Sequence, residues 1–463
     1  MNISKTVAVI LAAGLGTRMK SKIPKVLHPV LGDASLLWVL RSLPAGLAGA
    51  IVVLHHGKTQ VEAALANWDQ AGLLPCPIQS VDQGQPLGTG HAVRSAEAAL
   101  DLLGAERVLI LSGDVPLLRP ETVAQLASAD AQILAMDLED PTGYGRILQS
   151  QDGRLQAIVE HKDANELQRT IRRVNGGAYL LPWGPLKQAL AGLSNANAQG
   201  EYYLTDAVVA VGLKTPVTVE AVDPRELGGM NSRLDQADLQ ALAQARINAA
   251  WMREGVTFLD PATTLVGPRV TLAPDVTLEP GVRLEGAVSL GEGCTIGQGS
   301  ILKDCSLEAA VLVRPYSVIE GAQVGTESVV GPFSRLREGT VLERGAHVGN
   351  FVETKKAHFH PGVKANHLAY LGDCEIGEGT NIGAGVITCN YDGVRKHRTV
   401  IGRRVFVGSD TQLVAPVTIG DDALIGAGST ITKDVPAAAL ALSRTSQTTR
   451  EDGANHVRSK QKA

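Results

Sequence analysis

At 463 residues the chain is long enough for two to three domains, and a net charge of −4 without a basic run in its folded part argues against nucleic-acid binding. No apolar run is long enough to span a membrane. Five scattered cysteines with no Cys-x-x-Cys pair argue against a zinc site or disulfide framework and for reduced thiols in a cytosolic protein.

The opening Met1-Asn2-Ile3-Ser4-Lys5 shows no signal-peptide pattern and leads directly into Val7-Ala8-Val9-Ile10-Leu11, the unbroken apolar run of a buried parallel strand. Ala12-Ala13-Gly14-Leu15-Gly16-Thr17-Arg18-Met19 follows at once. Its glycines let backbone N–H groups approach phosphate oxygens, and Arg18 and Lys25 add positive charge there. A second strand is expected at 50–54, a loop entering a helix from Gln83 through Gly88-Thr89-Gly90-His91, and a third strand at 108–111 ending in Ser112-Gly113-Asp114. A carboxylate at the carboxyl end of a parallel strand lies where such sheets bind ligands, so Asp114 is either a Mg²⁺ ligand or a helix N-cap. Asp140 to Arg146 is turn-rich, and Val159-Glu160 and Val174-Asn175-Gly176-Gly177 look like strand ends with polar groups to offer. Asn231 closes this part. Ser232 and Asp235 form a capping-box-like start to a helix running to about Arg253, with Leu234, Ala237, Ala241 and Ala245 lining one face.

From about Leu259 to Ile431 an aliphatic residue returns every sixth position, as in Leu272, Leu278, Leu284, Leu290, Ile296, Leu302, then Val318, Val324, Val330, Leu336, Leu342, Val348. Period six fits neither a helix nor a plain strand. It fits a parallel β-helix of hexapeptides with three faces, a coil of about 18 residues and one continuous inward column. This also accounts for 50 glycines beside 3% aromatic residues. The column is expected to be lost twice, over 354–370 and 388–399, where Lys355, Lys356, His358, His360, Lys364 and His367 cluster and where Cys389-Asn390-Tyr391-Asp392-Gly393 stands. Loops that break a scaffold concentrate function. Three histidines raise a metal site, but no carboxylate or thiol completes a ligand set in the sequence, so a histidine base is preferred. After Arg444 the tail is polar, basic and expected to be loosely ordered.

The phosphate-loop string, Leu87-Gly-Thr-Gly-His91, Gly113-Asp-Val-Pro116, Asp140-Pro-Thr-Gly-Tyr-Gly-Arg146, Ile158-Val-Glu-His-Lys162, Gly349-Asn-Phe-Val-Glu353, Asn381-Ile-Gly-Ala-Gly385 and Cys389-Asn-Tyr-Asp-Gly393 occur in order. Together they resemble the bifunctional bacterial family of UDP-N-acetylglucosamine synthesis, an N-acetylglucosamine-1-phosphate uridyltransferase joined to a glucosamine-1-phosphate acetyltransferase. The resemblance implies a Rossmann-like α/β nucleotidyltransferase domain over 1–231, a linker helix over 232–253, a left-handed parallel β-helix acetyltransferase domain over 254–443, and a tail over 444–463. It implies a cytoplasmic homotrimer packed through the β-helices, with Mg²⁺ in the first domain and acetyl-CoA as cosubstrate.

Carried over by position, Leu11, Ala12, Ala13, Gly14, Arg18 and Lys25 should hold the triphosphate. Gln83, Gly88 and Thr89 should read uracil, with Ser112 and Gly113 beside them. Gly145, Glu160 and Asn175 should hold the amino sugar, and Asp114 and Asn231 should bind Mg²⁺. In the second half Arg337, Lys355, Tyr370 and Asn381 should hold glucosamine 1-phosphate, with His367 as base and Glu353 orienting it. Ala384, Asn390, Tyr391, Ser409, Ala427 and Arg444 should line the acetyl-CoA site. Two positions depart from the family habit: Asn366 stands where Gly is common, and Ser112 where an aromatic is frequent. The alternatives are a single-function pyrophosphorylase with a purely structural rod, or a binding scaffold. His367 and the Asn390-Tyr391 loop argue against the first, and the charged phosphate loop with Asp114 argues against the second.

Overall fold

The computed structural model describes residues 3–460, and the chain divides into two compact units between Gln244 and Ala245. The first is built on a twisted sheet whose main path runs Thr218–Ala221, Gln132–Asp137, Arg173–Pro182, Arg107–Ser112, Thr6–Leu11, Gly49–Leu54, Ile78–Asp82. Pairing along the path is parallel except for Arg173–Pro182, antiparallel to both neighbours. The unbroken apolar strands follow from coverage on both faces. Val7, Val9, Ile51, Val53, Val108 and Ile110 face one core layer, and Ala8, Ile10, Ala50, Val52, Leu109 and Leu111 the other. Strand order reverses beside Thr6–Leu11, which lies between Gly49–Leu54 and Arg107–Ser112. The crevice at the carboxyl ends of Thr6–Leu11 and Arg107–Ser112 is therefore the topological switch point.

One expected strand end is corrected here. Val174-Asn175-Gly176-Gly177 lies inside the strand Arg173–Pro182, where the register shifts between Asn175 and Tyr179. Paired glycines in a strand mark a bulge with close backbone approach as readily as an end. A Cβ at Gly176 would stand 2.9 Å from the Leu134 carbonyl.

The second unit is the left-handed parallel β-helix expected of hexapeptide repeats. Short strands stack in register, with Leu284 against Leu302, Leu302 against Ile319 and Ile319 against Leu336, so a coil takes 17 or 18 residues. The inward column is a single apolar cluster. Its phase differs from the expected one at a single place, where Ile319 is buried and Val318 is not. The column is also not lost over 354–370. Thr354, Phe359, Ala365 and Leu371 occupy it in turn, all buried. Sequence reading missed this because threonine and alanine replace the aliphatics and a five-residue step replaces a six. The Thr354 hydroxyl is satisfied by Thr340 at 3.0 Å, which makes a polar residue tolerable there. Likewise Thr388 sits in the column, its hydroxyl bonded to Gly372 N at 2.8 Å and Gly372 O at 3.0 Å. The real excursion is 390–398, a loop closed by a bridge between Tyr391 and Lys396.

The helix Arg233–Arg253 starts as expected, with Ser232 Oγ accepting from Asp235 N and the Asp235 carboxylate accepting from Asn231 N and Ser232 N. Its expected face is wrong. Leu234, Ala237, Ala241 and Ala245 are exposed, and Leu239, Ala243 and Asn248 are buried instead. Alanine-rich helices carry i,i+4 stripes on more than one face, and packing selects among them. Early in the helix Leu239 closes over Gly228, while Ile247 and Trp251 pack on the β-helix column. Asn248 Nδ2 donates to the carbonyls of Pro261 and Thr264, both at 2.9 Å. The tail is irregular only at first, with a helix over Gly453–Lys460. Among the described residues no helix is long and apolar enough to cross a membrane.

Candidate active sites

At the switch point of the first unit lies an open cavity of about 490 Å³. Leu11, Ala12, Ala13, Gly14, Arg18, Lys25, Gln83, Gly88, Thr89, Ser112, Asp114 and Asn231 line it. Gly16 takes a left-handed φ of 60°, and a Cβ there would stand 2.9 Å from Lys25 Cβ, so the loop can lie against Lys25 only as glycine. Gly113 does not line the cavity; its N donates to Leu11 O at 2.9 Å and its carbonyl accepts from Ser35 Oγ.

The ammonium of Lys25 bonds to Asp114 Oδ2 and reaches Asn231 Oδ1 at 3.2 Å. The N-cap reading of Asp114 is thereby set aside, since the next helix begins at Pro120 and Arg119 is its cap. The capping box at Asp235 holds Asn231, and Met230 N donates to Asp114 O at 2.8 Å, which brings the two oxygen donors together across more than a hundred residues of chain. Two oxygens converging on one cation fit a Mg²⁺ ligand pair, with the Lys25 ammonium standing in for the metal's charge.

Gln83 is buried, and its Nε2 donates to Gly88 O at 3.0 Å. The side chain therefore clamps the loop, with its Oε1 left as an acceptor. Gly88 itself is pressed against the backbone of Tyr202, where a Cβ would lie 2.7 Å from a carbonyl. Thr89 Oγ1 accepts from Leu204 N at 3.1 Å, so it is a structural partner of the 201–204 segment as well as a cavity wall. Glu201 lines the cavity too, and only the segment's packing on Gly88 reveals it. Gly145, Glu160 and Asn175 form a neighbouring cluster. Gly145 O accepts from Asn175 N at 2.9 Å, and a Cβ at Gly145 would stand 3.3 Å from Glu160 Oε1. Burial pushes the Glu160 carboxyl up, partly offset by a hydrogen bond from Thr205.

In the β-helix, Arg337, Glu353 and Tyr370 meet on adjacent coils, with Arg335 opposite Glu353 and Glu353 opposite Tyr370. Glu353 accepts from Arg337 Nη1 at 2.8 Å, so the partner found for this carboxylate is Arg337 rather than His367. Lys355 lies opposite Gly372, and Asn381 opposite Lys364. His367 ends its strand exposed, opposite Asn350. Asn390 is buried and pinned by Asp373, to which its Nδ2 donates at 2.5 Å. Gly372, which sequence reading missed, makes room for two site residues at once. A Cβ there would lie 2.6 Å from the Tyr370 hydroxyl and 2.8 Å from Asn390 Nδ2. Tyr391 is exposed, on a loop held by Asp392, which accepts from the backbone of Val394 and Arg395 and from His397. Those bonds hold the Asp392 carboxyl far below the usual carboxylate range.

Ala384, Ser409, Ala427 and Arg444 prove to be successive rungs of one corner. Asp410 N donates to Ala384 O at 2.7 Å, Gly428 N to Ser409 O at 2.8 Å, and Arg444 Nη1 to Ala427 O at 2.8 Å. Glycines at 383 and 408 let these corners touch, since a Cβ at Gly383 would be 2.6 Å from Ser409 N.

The family model described as MobA-like NTP transferase domain matches residues 8–176, GMPPB C-terminal domain matches 265–365, and Bacterial transferase hexapeptide (six repeats) matches 398–433. Three relatives are each named Bifunctional protein GlmU. The one from Alkalilimnicola ehrlichii is 48% identical over 95% of this chain and 94% of its own. The one from Stutzerimonas stutzeri is 48% identical over 94% and 96%, and the one from Sorangium cellulosum 46% over 98% and 97%. With the two geometries above, these likenesses settle the matter: the chain belongs to the GlmU family of bifunctional enzymes, and it makes UDP-N-acetylglucosamine with a nucleotidyltransferase half and a hexapeptide acetyltransferase half.

Proposed function

We propose that the two half-reactions run on separate constellations, uridylyl transfer within 1–231 and acetyl transfer within 254–443, with 232–253 as linker helix and 444–463 as a tail that adds Arg444. The observation that carries this is the convergence of Lys25, Asp114 and Asn231 at the switch point of the sheet, while the rungs from Ala384 to Arg444 belong to the rod.

Acetylation comes first. Arg337, Lys355, Tyr370 and Asn381 bind glucosamine 1-phosphate, and the Arg337–Glu353 ion pair holds the guanidinium toward the phosphate. Glu353 is thus a positioning residue acting through Arg337. His367 takes the proton from the substrate amine as nitrogen attacks the thioester carbonyl, then returns it to the coenzyme A thiolate as the C–S bond breaks, a task suited to an imidazole. Ala384, Asn390, Tyr391, Ser409, Ala427 and Arg444 seat acetyl-CoA.

In the second step the phosphate of N-acetylglucosamine 1-phosphate attacks the α-phosphorus of UTP, and no base is needed because the nucleophile is already anionic. Leu11, Ala12, Ala13, Gly14, Arg18 and Lys25 hold the triphosphate. Gln83, whose amide nitrogen faces Gly88 O at 3.0 Å and His91 Nδ1 at 3.4 Å, offers Oε1 to the uracil N3–H, beside Gly88, Thr89, Ser112 and Gly113. Gly145, Glu160 and Asn175 receive the amino sugar. Asp114 and Asn231 would hold Mg²⁺, which when bound supplies charge neutralisation on the departing pyrophosphate. Lys25 must then leave Asp114 and turn to the phosphates.

The assembly we infer is a cytoplasmic homotrimer packed through the rods, with small-molecule substrates as its other partners. An apolar ladder supports it: Tyr316, Phe333 and Phe351 stack at 5.4 and 5.5 Å on consecutive coils although each is about half exposed. The test is direct. Incubate the protein with glucosamine 1-phosphate, acetyl-CoA, UTP and Mg²⁺, follow both products, and determine the mass in solution. Formation of UDP-N-acetylglucosamine only from preformed N-acetylglucosamine 1-phosphate would favour the single-function alternative.

A further inference from the structure

On the rod, Glu343, His358 and His360 bring one ligand atom each to within 4.8 Å of one another. Sequence reading discounted a metal here because no carboxylate stood near these histidines, and grouped them with His367. The coil supplies the carboxylate from the preceding turn, and His367 takes no part. Register accounts for the meeting. Val341 lies opposite His358 and His358 opposite Glu375, while Glu343 N donates to Phe359 O at 2.8 Å and His360 N to Ile376 O at 3.0 Å. Phe359 points into the column, so its neighbours His358 and His360 both point out. Glu343 therefore sits on one coil, His358 and His360 on the next, and Glu375 on the one after, all in or directly beside stacked strands that give a binding site rigid support.

The hydrogen-bond inventory of this cluster lacks one positive charge. Glu343 Oε1 stands 2.6 Å from His358 Nε2 and 3.1 Å from His360 Nδ1. Glu375 Oε1 stands 3.0 Å from the other ring nitrogen, His360 Nε2. Ionised carboxylates only accept, and a neutral imidazole donates from one nitrogen. With one proton, His360 must turn a lone pair toward a carboxylate oxygen on one side or the other. A cation between Glu343, His358 and His360 removes the conflict: Nδ1 binds it, and Nε2–H donates to Glu375. That is the carboxylate–histidine–metal relay found around protein metals, in which the outer carboxylate fixes the tautomer. Glu375 is in turn held by Arg398 at 2.5 Å. The two imidazoles stack with centroids 4.4 Å apart and planes inclined by 29°, so one ring must turn for both lone pairs to meet a single metal.

We propose that Glu343, His358 and His360 bind one divalent transition metal of the zinc class per chain, with Glu375 as the outer carboxylate and water completing the coordination. Imidazole and carboxylate donors suit zinc at about 2.0–2.2 Å, which sets ligand atoms roughly 3.3 Å apart in a tetrahedron. Glu343 Oε1 stands 2.6 and 3.1 Å from the two ring nitrogens, so these spacings need to open by about 0.7 and about 0.2 Å. The site is distinct from Asp114 and Asn231, which offer oxygens only.

The test uses the full-length protein, stripped with chelator and titrated with ZnCl₂ against a chromophoric competitor, with bound zinc counted after dialysis. The expectation is one tight zinc per chain, absent in His358→Ala/His360→Ala and in Glu343→Gln, and retained in Asp114→Ala. Glu375→Gln, which leaves every ligand in place, should weaken zinc about 10–100-fold. Circular dichroism of each variant confirms the fold, and Glu343→Gln serves if the double histidine variant does not fold. No zinc on wild type at about 100 µM free metal overturns the proposal and leaves the extra charge as a second proton on the imidazoles. Zinc retained in both the double variant and Glu343→Gln overturns it as well.

Discussion

Replacing Gly372 by alanine should silence the acetyltransferase and leave the rest of the protein intact. The backbone at Gly372 is not left-handed, so alanine costs no φ strain, and the whole effect comes from its methyl group. That carbon would stand 2.6 Å from the Tyr370 hydroxyl, 2.8 Å from its Cζ and 2.8 Å from Asn390 Nδ2. Against an ordinary approach of roughly 3.5 Å, the tyrosine must retreat by about 0.9 Å and the amide by about 0.7 Å. The amide does not move freely. Asn390 is tied to Asp373, and its carbonyl accepts from His397 N. Overpacking of this kind costs about 1–3 kcal/mol. A displacement near 1 Å at a site of bond making costs about 10²-fold in rate. The assay is acetyl transfer to glucosamine 1-phosphate at saturating acetyl-CoA, with uridylyl transfer and the melting temperature as internal references. If Gly372→Ala acetylates within about threefold of wild type, far inside that expected loss, then Tyr370 and Asn390 are not part of the productive site.

The remaining expectations concern each site separately. Lys25→Ala removes the group bonded to Asp114 and Asn231 and should lower uridylyl transfer by about 10²–10³-fold while sparing acetyl transfer; equal loss in both half-reactions would refute two independent sites. Gln83→Ala should raise KM for UTP and narrow its preference over CTP, because the Oε1 acceptor is lost at about 1–3 kcal/mol; an unchanged UTP/CTP ratio means the base is read elsewhere. His367→Ala should slow acetyl transfer by about 10²–10⁴-fold with the trimer and uridylyl transfer preserved, whereas His358→Ala and His360→Ala should leave both rates near wild type. Burial raises the Glu160 carboxyl above its ordinary 4.5, so the folded state binds this proton more tightly than the unfolded chain. Its stabilising share is therefore full below pH 4.5 and lost as pH rises through the folded value. Glu160→Gln should then raise Tm at pH 7, the gain closing as pH falls toward 4.5, while KM for N-acetylglucosamine 1-phosphate increases. A Tm gain independent of pH would contradict this reading.

Local pattern alone determined the two architectures. An apolar run with both faces covered needs no alternation, and a six-residue period admits one repeating coil, so both were legible without coordinates. The phosphate loop was legible because its glycines, Arg18 and Lys25 are near neighbours in the chain. What lay beyond sequence reading depended on register between distant coils. Thr354 and Thr388 look like breaks in a column because their hydroxyls are polar, yet Thr340 and Gly372 satisfy them across a coil step. The stripe Leu234-Ala237-Ala241-Ala245 has the right spacing for a buried face, and neighbouring Leu239 and Ala243 were buried instead, since spacing defines candidate faces and packing chooses one. Asp114 had two equal readings until the capping box at Asp235 carried Asn231 to it. Glu343 became a partner of His358 and His360, 15 and 17 residues further on, because both lie on the next coil. Chain order specifies periodicity and local chemistry; which side chains from different turns touch is decided by the register at which the turns stack.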